Sequence, residues 1–143
     1  MALSEFEMIV KYFRNATPQR PDTLLSIGDD AALIRLRDGY QLVTVLKQWR
    51  AGMHYQASDS GADTGTGLLQ QAIHELETLG AEPAWMTLSL TLDQLDEAWL
   101  AAFSHGLAGL ARQYSIELIG THLSHHYISI IHLINIICLE SRG

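Results

Sequence analysis

The stretch at residues 127–139 constrains this chain most, because it stays apolar whichever way an extended strand is turned. It holds 13 residues, His132 and Asn135 among them, whereas a membrane helix needs ~20 largely apolar ones. It therefore reads as a buried strand, and no membrane partner is expected. A strand apolar on both faces lies between two layers, or in a sheet that meets another subunit.

The rest of the pattern alternates helices and strands. Residues 85–92 place Met86, Leu88, Leu90 and Leu92 against Thr87, Ser89 and Thr91, the period of a half-buried strand. Ser4 and Glu7 form a capping box ahead of Phe6, Ile9, Val10 and Phe13, which predicts a helix over 4–14. Leu68, Leu69, Ala72, Ile73, Leu76 and Leu79 predict a second helix that stops at Gly80. Asp93 or Asp96 caps a third that runs to about Tyr114, with Trp99, Phe103 and Leu107 on its apolar face. The Asp38-Gly39 pair between two β-prone runs, 31–36 and 41–46, predicts a hairpin. Residues 51–67, rich in Gly, Ser, Asp and Thr, read as a long surface loop, 116–119 as a short strand, and 120–126 as a turn.

A length of 143 residues suits one core, so residues 1–143 are expected to form a single α+β domain. Net charge is −7, and the basic residues are interleaved with acids, which disfavours a nucleic-acid partner. Cys138 is the only cysteine, so no intrachain disulfide can form, and within an apolar strand it reads as a core residue. The acidic start lacks the basic and apolar regions of a signal peptide, and the cytoplasm is the expected location.

Several strings in one order resemble the thiamine-monophosphate kinase family, within the superfamily of aminoimidazole ribonucleotide synthetase and selenophosphate synthetase. They include Ile27-Gly28-Asp29-Asp30-Ala31-Ala32-Leu33, Ala51-Gly52-Met53-His54-Tyr55, Leu79-Gly80-Ala81-Glu82-Pro83-Ala84-Trp85, Asp96-Glu97-Ala98-Trp99-Leu100 and Leu118-Ile119-Gly120. The resemblance implies an amino-terminal domain: a mixed or antiparallel sheet with helices packed on one face, pairing through the sheet as a homodimer. It also implies adenine nucleotide and magnesium near the dimer interface. The family's carboxy-terminal domain is expected to be absent from this chain.

Phosphoryl transfer needs carboxylates that hold Mg²⁺ against phosphate oxygens. Asp29 and Asp30 match the family's Gly-Asp-Asp turn and are the expected cofactor-binding or charge-partner residues. Elsewhere the sequence departs. An Asp-Thr pair is here Lys47-Gln48, Asn-x-Ser-Asp is Ala72-Ile73-His74-Glu75, and the acid of a glycine-rich turn is replaced at His122. Lys47 would repel a cation, and it could instead pair with Asp29 or Asp30. The expected catalytic set is Lys47, His54, His74, Glu75 and His122. No cofactor is expected, Mg-ATP is disfavoured, and no metal ligand is assigned. Were the resemblance to bring His122 near His74, Glu75 and Asp29, that set would suit a transition metal. The plain alternatives are that His54 shapes a loop and His74 lies on a polar helix face.

The leading expectation is thus a kinase-like domain repurposed to bind or convert a small metabolite by proton transfer, without ATP. Two alternatives stand beside it: a non-catalytic dimeric interaction module, and a fragment of an ATP-dependent thiamine-monophosphate kinase.

Overall fold

A computed structural model describes residues 3–27 and 31–126 with their side chains, and residues 130–140 as a backbone strand. The order of elements is α1 (Glu5–Tyr12), β1 (Thr23–Leu25), β2 (Leu33–Ile34), β3 (Tyr40–Arg50), α2 (Gly61–Thr78), β4 (Glu82–Leu92), α3 (Glu97–Tyr114), β5 (Glu117–His125) and β6 (Ile130–Glu140). The main sheet has the order β3-β6-β4-β5. β6 is antiparallel to both of its neighbours, and β4 and β5 run parallel. The sheet is therefore mixed, and the strand made from the most apolar sequence is an inner one.

Alternation on β4 divides the molecule into layers. Met86, Leu88, Leu90 and Leu92 are buried in one cluster with Leu68, Leu69, Phe103 and Leu107, which belong to α2 and α3. Among the described residues the opposite face is covered at one end only, where Trp85 packs with Ile34 and Tyr40 and its Nε1 donates to Thr23 Oγ1 at 2.8 Å. Further along that face Leu42 and Leu46 of β3 are exposed, at 46% and 61%. Both helices thus lie on a single side, as the α+β reading requires.

α1 begins at the predicted capping box, with Ser4 Oγ accepting from the Glu7 N–H and the Glu7 carboxylate accepting from the Ser4 N–H. Its far end is tied to α3: the Tyr12 hydroxyl donates to Glu97 Oε1, and Lys11 Nζ lies 3.0 Å from the same atom. The Tyr12 bond, and after it Lys11, hold the Glu97 carboxyl below its ordinary pKa. The Glu97 hydrogen bond raises Lys11 and Tyr12 in turn.

Three elements differ from the sequence expectation. α2 starts at Gly61, inside the stretch read as loop, under an N-cap from Ser60. Glycine is a poor helix former, but here its missing Cβ is required. An added Cβ at Gly65 would lie 2.4 Å from the Phe103 carbonyl oxygen of α3, and one at Gly61 would lie 2.1 Å from that of Trp99. Close backbone packing, not propensity, makes these first turns helical. The second difference is the hairpin. Gly39 does turn, at φ +82, yet β2 pairs with β1 while β3 pairs with β6. The third is residues 120–126, most of which continue β5 in parallel register with β4 instead of turning.

Candidate functional site

Lys47 lies on the helix-facing side of β3, in one register row with Leu133, Leu88 and Thr121. From there its ammonium reaches Glu75 on α2 and forms an ion pair. The lysine side chain is 19% exposed and the glutamate 44%. Lys47 thus finds its counter-charge on α2, and the expected partners Asp29 and Asp30 lie outside the described residues. Two residues further along β3, on the same face, Trp49 donates from Nε1 to Gln71 Oε1 at 2.7 Å.

Trp49 also opens a stack of aromatic rings. Its centroid is 6.3 Å from that of Tyr55, Tyr55 is 6.5 Å from Trp99, and Trp99 is 5.4 Å from Phe103. Beside this stack lies a cavity of about 220 Å³ lined by Ala51, Tyr55, Leu92, Asp93, Asp96 and Trp99. Asp96 Oδ1 accepts from the backbone N–H of Ala98 and of Trp99 and so caps α3 at the cavity wall. An aromatic wall with carboxylates at its edge suits a flat ring that carries positive charge. Neither Tyr55 nor Trp99 stood out in the sequence as a site residue, because Trp99 falls on an apolar helical stripe. The signal available was the pairing of Tyr55 with the Ala51-Gly52-Met53-His54 string.

The remaining candidates are dispersed. His54 is exposed, and its Nδ1 accepts the Arg50 N–H at 2.9 Å, which fixes the bend after β3. His74 is exposed on α2 and lines a shallow groove with Gln70, Glu77 and Tyr114. His122 is exposed on β5, in register with Ser89, His132 and Gln48. That row is offset by one residue from the Lys47 row, so His122 and Lys47 belong to opposite faces of the sheet. The fold brings together Lys47 and Glu75, but it does not bring His122 to them. Among the described residues no group of three or more His, Cys, Asp or Glu side chains is placed to hold a metal ion. Glu75, already engaged by Lys47, does not make a magnesium cage with described neighbours.

Comparison with known proteins follows the same outline. The sequence profile of AIR synthase related protein, N-terminal domain, matches residues 28–139. The chain belongs to this family. Thiamine-monophosphate kinase of Escherichia coli K12 is 39% identical over 120 residues, which is 84% of this chain and 37% of the enzyme. The crystal structure of thiamine-monophosphate kinase from Stenotrophomonas maltophilia superposes with a TM-score of 0.83 at 34% identity, covering 98% of this chain and 44% of that one. AaThiL complexed with AMPPCP and TMP shares the fold at a TM-score of 0.69 and 22% identity, over 80% of this chain and 37% of that one. The chain thus spans well under half the length of the relatives it matches.

These relatives correct the functional expectation. Identity of this level to ATP-dependent kinases, along most of the chain, overturns the reading of a domain turned to proton-transfer chemistry without ATP. It favours the alternative of a portion of a thiamine-monophosphate kinase. The colinear match over 120 residues outweighs the departures at Lys47-Gln48, His74-Glu75 and His122.

Proposed function

We propose that this chain serves as the amino-terminal domain of an ATP-dependent thiamine-monophosphate kinase, acting in thiamine diphosphate biosynthesis in the cytoplasm. The observation that carries the reading is the 39% identity over 120 residues to the E. coli enzyme. The TM-score of 0.83 to the S. maltophilia kinase supports it. Phosphoryl transfer is chiefly a matter of positioning and of charge compensation. In this reading Lys47, held on its sheet face by Glu75, presents a point positive charge to phosphate oxygens. The cavity at Tyr55 and Trp99 takes the cationic thiazolium or the pyrimidine of thiamine monophosphate, and His54 stands on the adjoining loop. Asp29 and Asp30 are the carboxylates left for a magnesium role.

The exposed Leu42 and Leu46, on a sheet face that among the described residues is covered only near Trp85, support a homodimer through that face. One observation favours a second reading, a non-catalytic module of the same family: the Lys47–Glu75 pair neutralises a carboxylate that would otherwise be free for a cation. Conversion of thiamine monophosphate and ATP to thiamine diphosphate, followed by chromatography, separates the two. Turnover that depends on ATP supports the kinase. Calorimetry showing no heat with either ATP or thiamine monophosphate, together with no product, would refute it and leave the module.

A further inference from the structure

A second cavity, of about 440 Å³, opens between the segment that follows α1 and the start of β5. Arg14, Asn15, Gln19, Ser26 and Glu117 line it, and it shares no lining residue with the cavity at Trp99. Glu117 is the one buried carboxylate among the described residues, at 3% exposure. Its Oε1 accepts the Arg20 N–H at 2.7 Å, and its Oε2 accepts from the Ser26 hydroxyl. Neither partner is charged at the atom that donates.

No cationic side chain forms an ion pair with Glu117 among the described residues. The Arg20 guanidinium turns to Asp22 instead, at 2.9 Å, and to the Ser115 carbonyl. Burying a carboxylate without a counter-charge is destabilising. The two hydrogen bonds do not explain the charge, since a glutamine could accept from the Arg20 N–H with its oxygen and donate to Ser26 with its nitrogen. The charge itself therefore asks for a cation. Arg14 lines the same cavity, is exposed, and joins no ion pair among the described residues. Opposite charges thus stand apart across one space, with the amides of Asn15 and Gln19 also on its wall. The volume is far larger than a bare monovalent ion requires.

We propose that this cavity binds a small zwitterion of the amino-acid type, with its ammonium group on Glu117 and its carboxylate on Arg14. The site is separate from the one assigned to thiamine monophosphate, and it does not depend on the kinase reading. The test is an NMR titration of the ¹⁵N-labelled full chain with glycine, L-serine and L-glutamine, with methylamine, acetate and potassium chloride as single-charge controls. At least one zwitterion shifts the amides of Ser26 and Glu117 saturably. Glu117→Gln keeps both hydrogen bonds, and it weakens that binding roughly tenfold or more, the scale of a lost charge-assisted hydrogen bond. Arg14→Ala, at an exposed position, weakens it comparably and serves should the glutamine variant fold poorly. The proposal is overturned if no zwitterion gives saturable shifts, if both variants bind as tightly as the wild type, or if methylamine or potassium chloride acts as well as the zwitterions.

Discussion

Gly65→Ala tests the packing of α2 on α3, because propensity and contact geometry give opposite signs. In a helix interior alanine is favoured over glycine by about 1 kcal/mol. At Gly65, however, the new Cβ would sit 2.4 Å from the Phe103 carbonyl oxygen and 3.3 Å from the Leu107 nitrogen. Real Cβ atoms do not approach backbone within 3.0 Å, so α3 must move, and neither helix offers a flexible side chain that could yield instead. Overpacking of this kind costs about 1–3 kcal/mol. Set against the propensity gain, the expected net effect runs from near zero to a loss of about 2 kcal/mol. Gly109→Ala is the matched control, since its Cβ would meet only the Arg112 guanidinium, at 4.0 Å. Propensity alone operates there, and a gain of up to about 1 kcal/mol is expected. Urea unfolding followed by tryptophan fluorescence reads both variants, with the midpoint moving and the slope constant. A gain in stability for Gly65→Ala matching that of Gly109→Ala would refute the claim that α2 is helical at Gly61 and Gly65 because of close packing.

Three further outcomes are expected. Glu97, whose carboxyl is held below its ordinary pKa chiefly by Tyr12, contributes stability above the usual carboxylate range of about 4. That contribution fades as pH falls through the lowered value, so the stability difference between wild type and Glu97→Gln should shrink in acid; a difference that grows there contradicts the assignment. Leu46→Glu on the open sheet face should give a folded monomer by light scattering if the dimer forms through that face, and an unchanged mass would exclude it. Trp99→Ala should weaken thiamine monophosphate binding in calorimetry by roughly 0.5–1.5 kcal/mol, the scale of a lost aromatic contact, while unchanged affinity would move the substrate ring elsewhere.

What the sequence disclosed tracks how local each determinant is. The α1 capping box, the alternation on β4, the stop at Gly80 and the Asp96 cap rest on residues within one turn or one strand, and all are present in the structure. The start of α2 was illegible because its cause is the backbone of α3, some 40 positions away by the Gly61 to Trp99 contact. Residues 120–126 read as a turn because Gly120 disfavours a strand and the polar His122, Ser124 and His125 show no apolar run, yet 120–125 lie in parallel register with β4. At the site, the replacement of an acid by Lys47 was visible, but its partner was not. Lys47 and Glu75 meet because a β3 face and an α2 face oppose each other, which no spacing along the chain encodes. Asp29 and Asp30, assigned from the resemblance, lie outside the described residues.

The place of β6 inside the sheet bears on how the chain acquires its structure at the ribosome. β3 is complete by Arg50, but its ladder partner runs from Ile130 to Glu140, and the outermost pair joins Tyr40 to Glu140. Ninety or so residues of nascent chain must therefore emerge while β3 waits without a neighbour. β4 and β5 can pair earlier, leaving the β4 edge that β6 will fill exposed meanwhile. Pairings of such long sequence separation form slowly, since loop closure comes before any contact rewards it. An interrupted synthesis that stops short of residue 130 would release a species with two open strand edges and bare leucines, the kind that aggregates or is held by chaperones.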